Sequence, residues 1–280
     1  MSIFDNQQDI NDLRRAITLL ESPSLTIQLA NLVGGPLEWG LSKLPNLVKN
    51  RVQSVVHSAL NKSVDAALYT MDDEPKRASS PKTHKLAAAA SGAVSGFFGA
   101  AGLLVELPVS TTIMMRSVAD IARGEGFSLA DFSVKAACVE VFALGGRGKH
   151  DDAAESAYYA SRAMVADITK HAARELVDIA GKKGAEKASA RITTSQAGRA
   201  LAKLIDVVAA RLGITVTEKI AAQIVPVIGA ASGAAINTLF INHYQHMAQG
   251  HFIIKRLERK YGEDVIKSAY IQLKDGDPSD

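Results

Sequence analysis

The chain has 280 residues, 47% hydrophobic and only 5% aromatic, and its 32 basic and 29 acidic side chains leave a net charge of +3. That balance excludes the one-sided electrostatic footprint of a nucleic-acid binder, so no nucleic-acid partner is expected. The single cysteine, Cys138, excludes an intramolecular disulfide and points to a reducing compartment.

Residues 1–12 are polar and acidic and lack the basic and apolar regions of a secretory signal. A cytoplasmic location is therefore expected, with any membrane met from the inner face. Residues 5–20 read as an amphipathic helix, because Ile10, Leu13, Ile17 and Leu20 recur at helical spacing. Ser22-Pro23 reads as the start of the next helix, and Gly34-Gly35-Pro36 breaks the chain. A periodic pattern over 37–69 predicts a second long helix, kinked or split at Pro45. Its polar side carries Lys43, Lys49, Arg51, His57 and Lys62, opposed only by Asp65 after Glu38. Such a basic face suits an anionic membrane surface, and equally an ordinary solvated helix.

The segment 71–85 holds two prolines and many charges, and reads as a linker or mobile loop. From Leu86 to Val105 no residue is charged, and thirteen of the twenty are Ala, Gly or Ser. Gly92 and Gly96, with Gly99 and Gly102 after them, allow close helix approach. The length suits a bilayer span, but small side chains give little transfer energy. Gly124–Gly126 reads as a turn. Ser128 and Asp131 have near-capping-box spacing for a helix running to Leu144, and 146–152 reads as a polar loop.

A helix is predicted over 153–180, its apolar stripe including Tyr158 and Val165. Another is predicted over 185–212, ended by Gly213, with Thr215 and Glu218 boxing the start of the next. The second uncharged stretch, 220–254, has Pro226, Gly229 and Gly233, and turns polar after Ile241. A charged helix to Tyr261, a break at Gly262, a short helix to Leu273 and an acidic tail over 274–280 complete the chain. No segment alternates as a strand would.

These elements predict an all-α bundle. Its centre is an Ala/Gly-rich hydrophobic helical hairpin from 86–122 and 220–250, wrapped by amphipathic helices. The helices of 1–70 join the 86–273 core as one domain, with 71–85 as the link. Neither uncharged stretch reads as a permanent span, and a buried hairpin is the expected arrangement.

Polar residues inside apolar sequence are the functional suspects. Glu106, Asp120, Glu140 and His251 are the catalytic candidates, since buried carboxylates and imidazoles need partners and can exchange protons. Arg116 and Asp120 are four apart and share a helix face. A structural ion-pair network explains the same residues. Thr111 and Thr112 can back-bond within their own helix. His243 and His246 form a weak metal candidate without a supporting motif, so no metal and no cofactor are expected.

The stretches LPVSTTIMMRSVADIARGEGFSL (107–129), CVEVFALGG (138–146) and VPVIGAASGAAINTLFINHYQHMAQGHFIIKRLERKYG (225–262) resemble the blocks of the EcsC family, and the likeness covers roughly 30–270. This family is mainly bacterial, is named from an operon that also encodes an ABC transporter, and has no established enzymatic activity. The resemblance implies a shared helical core. It places motif positions at Pro108, Thr111, Thr112, Arg116, Asp120, Glu140, Gly229, Asn237, His251, Arg256, Glu258 and Tyr261. With Glu106, most of these form an expected polar core network: Glu106, Thr111, Thr112, Arg116, Asp120, Glu140, Asn237, His251, Arg256 and Glu258. The leading expectation is a peripheral membrane protein that binds lipid or a membrane partner and is accessory rather than catalytic. A hydrolase or metal-assisted enzyme, and a conditionally inserting, toxin-like protein, are the alternatives.

Overall fold

The computed structural model describes residues 2–33, 37–44, 46–68, 71, 99–144, 156, 158–163, 165, 189–224 and 229–276. All of the expected linker 71–85 except Met71, which packs against the core, lies outside them, as do the uncharged segment 86–98 with Gly92 and Gly96, the loop 146–152, most of the 153–180 helix, Pro226 and the tail beyond 276. Among the described residues every regular element is helical and no strand occurs. The chain is all-α.

The first α-helix, α1 (Gln7–Leu20), follows a 3-10 turn at Ile3–Asp5. The Asn6 carboxamide accepts from the Gln8 and Asp9 amides at 3.1 Å, so two orphan donors of the first turn are satisfied. Ile10, Leu13, Ala16 and Leu20 form the buried stripe that the spacing predicts. The next helix, α2 (Leu25–Val33), begins two residues after the expected Ser22-Pro23 signal. The Ser22 hydroxyl instead donates back to the Leu19 carbonyl at 3.0 Å and closes the end of α1. The long pattern over 37–69 divides into α3 (Leu37–Lys43) and α4 (Asn46–Leu68), either side of Pro45.

The fifth helix, α5 (Gly99–Gly124), runs through Pro108. A turn follows, and α6 (Phe132–Glu140) begins with Asp131 at its N-cap, later than the Ser128 signal predicts. A 3-10 turn, Val141–Ala143, continues from it. The largest difference from expectation is α7 (Ser189–Ile224), which passes through Gly213 without a break. Gly213 is buried on the side facing α4, where a Cβ would lie 2.3 Å from the Gln53 side-chain oxygen, and the helix continues through it. Thr215 and Glu218 accordingly do not cap. Thr215 back-bonds to the Arg211 carbonyl at 3.4 Å, and Glu218 accepts from Thr26 at 2.7 Å.

The helix α8 (Gly229–Tyr261) is about 50 Å long at 1.5 Å per residue. It ends at Gly262, whose φ of 97° and ψ of 150° suit only glycine. The final helix is α9 (Glu263–Lys274).

The core is one cluster of aliphatic and small side chains with a few large rings, among them Phe142, Phe240 and Tyr244. The central pair is α5 and α8. They run in the same direction, since Glu106 meets Asn237 and Ser117 meets Gln245. Where described, the two predicted apolar segments therefore touch in parallel rather than as the expected hairpin, joined through the helices between them. On one flank α4 covers α5 and, antiparallel to it, α7 (His57 with Asp206, Gln53 with Gly213). On the other flank α1 packs antiparallel on α8, close enough at Gly250 that a Cβ would lie 2.5 Å from the Leu20 side chain. No helix among the described residues is long and apolar enough to cross a membrane.

Candidate functional site

Three helices each place one polar side chain at a single point in the core. Glu106 of α5 is 7% exposed, Lys219 of α7 is 2% exposed, and Asn237 of α8 is equally buried. The Asn237 amide donates to Glu106 Oε1 at 2.5 Å, and Lys219 Nζ lies 3.7 Å from the same oxygen. Lys219 also sits 5.1 Å from the Phe240 ring centroid, a cation–π contact. Burial pushes the Lys219 ammonium below its ordinary pKa, and the Glu106 carboxylate opposes that push. One turn-rich layer further along, Gln245 donates to the Ser117 hydroxyl at 2.8 Å. This is a closed polar seam between α5, α7 and α8.

A second group begins at Glu140, near the end of α6. Its carboxyl lies 3.9 Å from Nε2 of His251, which is 0% exposed on α8. That separation is within ion-pair reach, yet burial raises the Glu140 pKa and drives His251 well below the usual imidazole range. Burial thus works against a charged pair here, while the charges of Lys255 and Arg162 partly offset it at Glu140. On its other side, His251 Nδ1 shares a 3.0 Å hydrogen bond with the hydroxyl of Tyr158, itself 3% exposed. One turn on, Arg162 holds Glu258 of α8 through two N–H donors at 2.5 and 2.8 Å, the forked geometry that arginine suits.

This second group ends at solvent. Arg162 and Glu258 line an open cleft of about 340 Å³ between the α5–α6 connection, the 158–163 helical turn, the last part of α8 and the first turn of α9. None of Glu106, Asp120, Glu140 or His251 lines this cleft.

A third group joins α1 to the end of α8. Asp9 accepts from Lys260 and from the Tyr261 hydroxyl, both at 2.6 Å. Arg256 bonds Asp12 at 2.8 Å and Glu125 at 2.9 Å. Burial alone would raise the Asp9 pKa, but the hydrogen bonds from Lys260 and Tyr261 and the charges of Lys260 and Arg256 bring it below the ordinary value.

The remaining expected residues fall as follows. Asp120 is buried and accepts from the buried Arg123 at 2.5 Å, while Arg116 is exposed and donates to the Ala66 carbonyl at 2.9 Å. Thr111 is buried, and Thr112 back-bonds to the Pro108 carbonyl at 2.7 Å. His243 is buried, its pKa pushed down to about 4 by desolvation although a backbone hydrogen bond with Leu144 opposes the shift, whereas His246 is exposed. No group of three or more metal-capable side chains gathers among the described residues. Lys43, Arg51 and Lys62 are exposed; the Lys49 side chain lies outside the described set.

Sequence reasoning passed over Lys219, Arg123 and Arg162, and counted Tyr158 as plain apolar stripe. Lys219 carried a signal: it is the last charge before the uncharged stretch.

The EcsC protein family model matches residues 38–257. The chain belongs to the EcsC protein family. The matched span takes in Glu106, Glu140, Arg162, Lys219, Asn237 and His251, so the EcsC region contains the seam and the buried part of the second group. It leaves out α9, and it leaves out α1, whose Asp9 and Asp12 pair with Lys260 and Arg256 at the end of α8. No curated protein and no solved structure matches the chain.

Proposed function

We propose that this EcsC-family chain is a peripheral membrane protein that binds anionic lipid surfaces through α3 and α4, in an accessory rather than a catalytic role. The observation that carries the reading is Trp39. It is the one tryptophan of the chain, and it stands 44% exposed where burial would be the norm for so large a side chain. Lys43 is one helical turn away on the same face of α3 and is also exposed. On α4, Arg51 and Lys62 are exposed and eleven residues apart, which returns them to nearly the same direction at about 100° per residue. An exposed indole with a lysine one turn away fits the headgroup layer, where one end of the ring is wet and the other apolar. Attachment of this kind needs no spanning segment.

Flotation with vesicles tests it. The protein rises with vesicles of anionic lipid at low salt, rises less at high salt, and stays down with neutral phosphatidylcholine. Protein that remains in the bottom fraction under every condition rules the proposal out.

A catalytic reading draws support from one observation, the 3.0 Å contact between His251 and the Tyr158 hydroxyl beside Glu140. Its chemistry would be hydrolytic, with the imidazole as base. A broad hydrolase screen of wild type against His251→Ala decides it, because activity that is absent or unaffected by the substitution removes the reading.

A further inference from the structure

The cleft beside the second group carries two cations that no carboxylate bonds, although the Lys255 charge acts at longer range on the buried Glu140. Its lining holds three cationic and two acidic side chains. Both acids face Arg162: Glu258 bonds it through two oxygens, and a Glu263 oxygen lies 4.0 Å away. Lys255 and Arg259 are left. Among the described residues, neither forms an ion pair or a hydrogen bond to a carboxylate. Arg259 is held instead by stacking, its guanidinium carbon 4.3 Å from the centre of the Phe127 ring. Stacking uses the flat face of a guanidinium and leaves its N–H edges free to donate in pairs. Ser133, exposed at the start of α6, adds a hydroxyl to the same lining.

An unpaired ammonium, a stacked guanidinium with free edges and a hydroxyl form a donor set for an oxyanion with several acceptor oxygens. A volume of about 340 Å³ is at the small end of ligand sites and leaves space beyond one phosphate group. We infer that this cleft binds a phosphate-bearing ligand through Lys255 and Arg259, with Ser133 as an additional donor. The Arg162–Glu258 pair serves as a fixed wall, since its fork is already occupied. The inference does not depend on the membrane face of α3 and α4, which is built from other residues.

Inorganic phosphate is the first probe, followed by calorimetry at low salt. Wild type binds one phosphate per chain. Lys255→Gln and Arg259→Gln each weaken binding by roughly tenfold or more, as loss of one charge-assisted hydrogen bond implies, while Lys255→Arg retains it. Both side chains are at least partly exposed, so melting temperatures stay near wild type. In the unmutated protein, phosphate slows acetylation of Lys255 by acetic anhydride, read by mass spectrometry, which tests the site without any substitution. Vesicles containing phosphatidic acid form the second arm. If Lys255→Gln and Arg259→Gln each reduce capture by these vesicles below wild type, the phosphate is a lipid headgroup. If Lys255→Gln weakens phosphate binding alone, the ligand is a soluble phosphate. The inference is overturned if wild type neither binds phosphate nor protects Lys255 and vesicle capture is indifferent to Lys255 and Arg259. Phosphate binding equal to wild type in both glutamine variants overturns it as well.

Discussion

Lys219 and Glu106 meet in the core with their charged atoms 3.7 Å apart, 113 positions distant in the chain and both nearly inaccessible to water. Taking two charges out of water is costly, and their attraction offsets that cost only while both are present. Asn237 completes the arrangement by donating to the same carboxylate oxygen.

Removing one partner should therefore cost more than removing both. Lys219→Met or Glu106→Gln alone destabilises by about 3–5 kcal/mol, the range for an orphaned buried charge. The double variant is less destabilised than the two single losses added together. Urea denaturation of the four proteins measures the coupling, and strictly additive losses would show that the two side chains do not act as a pair.

Gly262 makes a separate prediction about the α8–α9 bend. A Cβ there meets nothing within 4 Å, yet the backbone φ of 97° suits only glycine. Gly262→Ala should cost about 1–3 kcal/mol through backbone strain alone. A denaturation midpoint unchanged from wild type would contradict it.

Two other glycines should behave differently from each other. At Gly40 a Cβ would lie 2.3 Å from the Ala221 carbonyl oxygen, so α3 or α7 backbone must move. Gly40→Ala should destabilise by about 1–3 kcal/mol. At Gly213 the obstacle is only the tip of the Gln53 side chain, which can rotate away. Gly213→Ala should then be near neutral, helped by alanine's higher helix propensity. Thermal melts that rank the two in the reverse order would refute the packing argument.

Asp9 sets a pH dependence. Its folded pKa lies below the ordinary value, so the folded state favours the carboxylate. Stability from this group is present above the unfolded pKa of about 3.9 and is lost as pH falls through the folded value. Acid unfolding of Asp9→Asn should therefore be flatter over that window than wild type. Identical acid profiles would show that Lys260 and Tyr261 do not hold the carboxylate as described.

Much of this architecture is legible in the sequence because it is local. The apolar spacing of Ile10, Leu13 and Leu20 gives the buried face of α1, and Gly262 marks the α8–α9 bend where it falls. What local reasoning misreads depends on neighbours distant in the chain. Gly213 looks like a helix stop, but it is buried against α4 and α7 continues through it. Tyr158 looks like one more apolar residue, and only the fold brings its hydroxyl to His251. Lys219 draws no notice beside Thr215 and Glu218, because only the fold brings it to Glu106 on α5. In each case the local pattern is read correctly and a tertiary contact changes its meaning.

The membrane proposal makes its sharpest prediction at Trp39. Because this is the single tryptophan, tryptophan fluorescence, excited where tyrosine does not absorb, reports on α3 alone. Titration with anionic vesicles should shift the emission to shorter wavelength as the ring enters the headgroup layer. The shift should weaken with salt, as a surface charge interaction does, and should be lost in Arg51→Glu/Lys62→Glu. Emission that stays at its free-protein wavelength with saturating anionic vesicles would contradict the account.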